Sequence, residues 1–124
     1  MTSKAGRMAD TPTLEISRLV EIFEDDSEGI ADLLEAAMQT GFSHQTALRD
    51  GIARHALDDV MRAAHAIKGS SANIGGNEVA AAAARIEDAA RAKTWDGIPE
   101  NADALDRAYE RLREAVVAYR ASLT

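Results

Sequence analysis

The chain has 124 residues, a net charge of −7 and no cysteine. That length suits one domain with its own core, and the missing cysteines exclude disulfides and thiolate metal sites and fit a reducing compartment. The acidic balance argues against non-specific nucleic-acid binding, which needs a basic surface. No apolar run approaches the roughly 20 residues that span a bilayer, and the N-terminus lacks the apolar stretch of a signal peptide. The expectation is a soluble, cytoplasmic, all-helical protein, because alanine, leucine, arginine and glutamate dominate and aromatics are few.

Residues 1–10 are polar and aperiodic and read as a flexible tail, which leaves 11–124 for the domain. Thr11 with Pro12 behind it predicts the start of a short first helix, whose apolar stripe is Ile16, Leu19, Val20 and Phe23. Asp25 and Glu28 have capping-box spacing for a long second helix with Ile30, Leu34, Met38, Gly41, Leu48 and Ile52 on one face and Gln45 on the same stripe. The third helix starts near Leu57, carries Val60, Ala64, Ile67, Ser71 and Ile74, and stops at Gly75-Gly76. Asn77 is a candidate cap for the fourth, with Val79, Ala82, Ala83, Ile86 and Ala90. After the loop around Trp95, a fifth helix from Pro99 or Asn101 carries a seam from Ile98 through Leu105, Tyr109, Leu112 and Val116 to Leu123. Four long amphipathic helices with short links predict an antiparallel four-helix bundle, with the additional short N-terminal helix across one end.

Gly69 poses a choice between helix cap and gap. The apolar spacing 60, 64, 67, 71, 74 runs through it in phase, so the third helix is expected to continue, with Ser71 bonding back to the Ile67 carbonyl. A mid-helix glycine costs about 1 kcal/mol relative to alanine, and a function for the space would offset that. At about 100° per residue, His65 falls roughly 120° from the centre of the apolar stripe, facing solvent. Gly69 and Ala72 lie above it, Arg62 lies one turn below, and Lys68 is within reach of a substituent on the ring. Two cations beside an exposed imidazole suit a ring that stays neutral and then acquires negative charge, as a phosphoryl group would bring. Only three of the chain's fourteen basic residues are lysines, and one of them is here.

Other candidates read as structural. His44 lies at a stripe edge and His55 in a turn. Gln45 reads as a polar core residue, with a hydrogen bond towards the His65 helix as the functional option. The alanines at 80–84 suggest close helix packing, the pairs Asp25-Asp26 and Asp58-Asp59 suggest helix starts, and Trp95 suggests cover for a bundle end.

The segment "AHAIKGSSANIGG", residues 64–76, resembles the signature of histidine-containing phosphotransfer (HPt) domains, and the helix pattern is similar from about residue 12 to 123. The resemblance implies a monomeric bundle that relays phosphoryl groups between histidine and aspartate in two-component phosphorelays and is itself no enzyme. It implies His65 as the phosphorylated residue and Lys68 as the phosphate-side cation. Arg62, Gly69 and Ala72 would give clearance and a docking surface for a receiver domain. It further implies response-regulator receivers and a sensor or hybrid histidine kinase as partners, and no metal or other cofactor on the chain, with magnesium supplied by the receiver. The sequence departs at Gly76, where alanine is common, and at polar Thr40, Ser43, His44 and Gln45. Two other readings stay open: a histidine-bearing fragment of a sensor or chemotaxis-type kinase, and a receiver-binding regulator without transfer. Against the kinase stand Ala66, where dimerising kinase helices carry an acidic residue, and the lack of a glycine-rich nucleotide-binding region.

Overall fold

In the computed structural model, residues 13–24 and 26–123 are described. Five helices follow in order: α1 (Ser17–Phe23), α2 (Ser27–Ala53), α3 (Leu57–Asn73), α4 (Asn77–Arg91) and α5 (Ile98–Ala121). Short connections force antiparallel neighbours. The packing pairs α2 with α3, α3 with α4, α4 with α5 and α5 back with α2, which closes the bundle. The α3–α4 seam is the most intimate, because alanines 82 and 83 are buried there and let the backbones approach.

The seams expected from the sequence meet in one core. Ile30, Leu34 and Leu48 of α2 face Val60 and Ile67 of α3, Val79 and Ile86 of α4, and Ile98, Leu105 and Leu112 of α5, each at most 1% exposed. Met38 and Ile52 reach this core only in part. Gly41 stays bare for a reason of packing: a Cβ there would stand 2.7 Å from the Tyr109 hydroxyl.

Several boundaries differ from expectation. The first helix begins at Ser17, and Thr11 and Pro12 lie outside the described residues, as does the expected tail at 1–10. Asp25 also lies outside them; the cap of α2 is Asp26, whose carboxylate accepts the Gly29 N–H at 3.0 Å. Asn77 is the first residue inside α4, and Gly76 holds the cap position without a side-chain bond. α5 opens at Ile98, with Pro99 in its first turn, where a missing N–H leaves no helical bond unmade.

The short α1 sits against α2 with Leu19 in the core. The strap before it is tied to the α3–α4 turn, where the Glu15 N–H donates to the Gly75 carbonyl at 2.8 Å and the Thr13 hydroxyl donates to Glu78 at 3.3 Å. At the opposite end, the His55 ring meets Trp95 edge-on, centroids 5.2 Å apart, joining the α2–α3 and α4–α5 connections. His55 and Trp95 are thus end-closing residues. No helix among the described residues is long and apolar enough to cross a membrane.

Candidate functional site

α3 runs unbroken through Gly69 to Asn73, so the glycine is a gap and not a cap. A Cβ at Gly69 would meet nothing within 4 Å, which leaves the surface open one turn above His65. The back-bonding serine is Ser70, whose hydroxyl donates to the Ala66 carbonyl at 3.0 Å, and not Ser71. Ser71 is 3% exposed and lies against Tyr109. Burial pushes the Tyr109 phenol up, and its hydrogen bond with Ser71 opposes that shift.

The His65 side chain is 69% exposed, yet one edge of it is fixed. Its Nδ1 lies 2.8 Å from Oε2 of Glu87, a residue of α4 that is 2% exposed. Lys68 Nζ stands 2.7 Å from the other oxygen of the same carboxylate, and Arg91 Nη2 lies 2.6 Å from Oε2. The Lys68 hydrogen bond leads in holding the Glu87 carboxyl down at about 2; His65 adds to it, and desolvation by burial works against both. Glu87 is therefore ionised at neutral pH and only accepts, so the proton of a neutral His65 ring belongs on Nδ1 and the lone pair on Nε2.

This changes the electrostatics expected from the sequence. Lys68 is not a free cation beside the ring but an ion-pair partner of Glu87. Arg62 is bound by Asp59, which also binds Arg54. Ala72 is exposed on the same helix. Gln45 does not reach the His65 helix; its amide donates to Asp106 of α5 at 2.5 Å, beside the pairs that Arg49 makes with Asp103 and Asp106. His44 lines the α2–α3 groove with Ala63 and Ala66.

Glu87 and Arg91 are the residues that sequence reasoning missed. A signal was present: Glu87 lies four residues after Ala83 and three before Ala90, on the buried face of α4. A carboxylate on such a face needs a partner, and α3 offers two, one turn apart.

An exposed imidazole held by a buried carboxylate on a four-helix bundle fits a histidine phosphotransfer domain, and a family-model match over most of the chain shows that it belongs to that family. The Hpt domain profile matches residues 18–115. Its fold is similar to that of histidine-containing phosphotransfer protein B (HptB) from Pseudomonas aeruginosa PAO1, with a TM-score of 0.83 and 19% identity over 91% of this chain and 98% of that one. No curated protein sequence matches the chain. Hpt domains are phosphotransfer intermediates rather than classical enzymes, and they work with receiver domains and kinases of two-component systems.

Proposed function

We propose that the chain carries a phosphoryl group on Nε2 of His65 between a donor, either a kinase or a phosphorylated receiver, and the aspartate of a second receiver. The observation that carries this reading is the His65–Glu87 contact at 2.8 Å on a ring that is otherwise exposed. Glu87 holds the Nδ1 proton, so the Nε2 lone pair points outward. From a phosphorylated receiver, that pair attacks phosphorus, the P–O bond of the aspartyl phosphate breaks, and its electrons leave with the receiver's carboxylate. From a kinase phosphohistidine, the P–N bond breaks and its electrons return to the donor ring. The ring now bears a positive charge shared with Nδ1–H, and Glu87 faces that charge across a short hydrogen bond. Because the proton stays in place, the ring remains a good leaving group. In the onward step an aspartate oxygen attacks phosphorus, the P–N bond breaks, and the pair returns to Nε2.

Lys68 acts as the phosphate-side cation, released from Glu87 towards the phosphoryl oxygens. Gly69 and Ala72 leave room for the partner's active site, and Arg62 sits at the rim as a docking contact. Magnesium belongs to the receiver, whose acceptor carboxylate it would accompany. The test is incubation with a phosphorylated receiver or a cognate kinase, followed by a search for acid-labile label. His65→Ala is expected to abolish the label, and label that persists in this variant would refute the assignment.

A further inference from the structure

Away from His65, the seam between α2 and α5 carries two hollows side by side. Met38, Tyr109, Glu110 and Arg113 line one, of about 320 Å³, and Thr46 and Arg49 the other, of about 270 Å³. Phe42, Gln45 and Asp106 line both and so form the ridge between them. Phe42 is 69% exposed, the most exposed large apolar residue among the described ones, and the relay makes no use of it. Val117, one turn beyond Arg113 on α5, is exposed as well. The bundle closes in the order α2, α3, α4, α5, so this seam lies opposite the α3–α4 seam that holds His65 and Glu87.

Charge and shape decide what fits there. The chain carries −7 overall, so two copies repel on most approaches. Around Phe42 the charges balance, with Asp106 and Glu110 against Arg49 and Arg113. The α2–α3 hollow is balanced too, but its apolar lining is alanine alone and offers no anchor. On the α2–α5 face a protruding ring stands next to a hollow that can take one, since a cavity of about 150 Å³ already holds benzene. A two-fold axis over the seam therefore seats the Phe42 of each copy in the hollow of the other. Glu110 and Arg113 stand one turn apart on α5 and pair with each other within the chain. With the two α5 helices antiparallel, that axis sets Glu110 of each copy against Arg113 of the other. We infer that the α2–α5 face is self-complementary and joins two copies of the chain, with Phe42 as the anchor and both His65 rings left facing outward.

This inference does not depend on the relay reading. Sedimentation equilibrium of the full chain from about 5 μM to about 1 mM tests it, and a reversible monomer–dimer equilibrium is expected. Phe42→Ser is expected to weaken the dimer by about tenfold or more, because an anchor is lost from both copies. The exposed position leaves the fold intact, which circular dichroism checks. Glu110→Arg and Arg113→Glu should each weaken association, and an equimolar mixture of the two should restore it, since each carries the charge that the other lacks. On dilution, amide signals of residues 38–49 and 106–117 should move and those around His65 should stay. A chain that remains monomeric at about 1 mM overturns the inference, whether its own residues 1–12 or a different protein covers the face. So does a dimer that Phe42→Ser leaves at full strength, a mixture no stronger than its components, or dilution shifts centred on His65, because the second copy would then sit elsewhere.

Discussion

At the scale of single residues, Glu87 governs the site, and its ionisation ties stability to pH. Its carboxyl is held at about 2 against an ordinary 4.5. A depressed acid stabilises the fold above its unfolded value and loses that contribution as pH falls, here from 4.5 towards about 2. Its partners are themselves 40–69% exposed, so solvent screening reduces the effect. The contribution is on the order of 2 kcal/mol at neutral pH. Glu87→Gln is therefore expected to be less stable than the unsubstituted chain at neutral pH, with the difference closing in acid. Urea unfolding across that window checks this, and a gap that stays constant would show that Glu87 owes nothing to its charge. The sequence made His65 legible because solvent exposure, a neighbouring lysine and a misplaced glycine coincide in one helical turn. It hid Glu87 because the partner is 22 residues away, on another helix. Spacing along one helix says nothing of which side chains meet across a seam.

At the scale of helices, α3 shows how periodicity overrides a local breaker. Gly69 lowers helix propensity, but Val60, Ala64, Ile67 and Ser71 are all buried on one face, and that burial carries the helix through. Since nothing occupies the space at Gly69, Gly69→Ala is expected to stabilise the chain by about 1 kcal/mol, near 4 °C in melting temperature. Gly69→Leu should keep labelling by phosphoramidate yet slow transfer from a receiver, because the added bulk stands where the partner approaches. Equal transfer rates in Gly69→Leu and the unsubstituted chain would show the gap to be without use. Gly41 is the opposite case. A Cβ 2.7 Å from the Tyr109 hydroxyl makes the Tyr109 ring shift out of its packed position, so Gly41→Ala should cost about 1–3 kcal/mol in denaturant titrations. Both glycines lie mid-helix in the sequence. Only Gly41 falls on the apolar stripe, and that register separates a packing glycine from an open one. Caps were less legible: adjacent Asp25 and Asp26 offer the same chemistry, and a shift of one residue exchanges them.

At the scale of the whole molecule, the closed bundle separates the site from the tether that holds α1. Bundle topology was readable because seam lengths and short links leave few arrangements. The strap of residues 13–16 was not, since a backbone bond between Glu15 and Gly75 has no side-chain signature. Gly75 has φ of +80°, and a Cβ on it would lie 1.6 Å from the Glu15 carbonyl oxygen. Gly75→Ala must therefore break the strap or strain the turn. Left-handed strain at position 75 of roughly 1–3 kcal/mol is carried on either course. Detaching α1 breaks the Glu15–Gly75 hydrogen bond and exposes buried Leu19 with the half-buried Ile16, Val20 and Phe23, at a cost of roughly 3–5 kcal/mol. Because the clash is with the Glu15 backbone and no side-chain movement relieves it, release of the strap is the expected relaxation. Hydrogen exchange is expected to show lost protection at amides 17–23, with the buried turns of α3 and α4 still protected. Labelling of His65 should persist, because the Glu87 contact lies about 15 Å along α3 from the strap. Loss of protection throughout the bundle would instead mean that α1 and the four long helices fold as one cooperative unit.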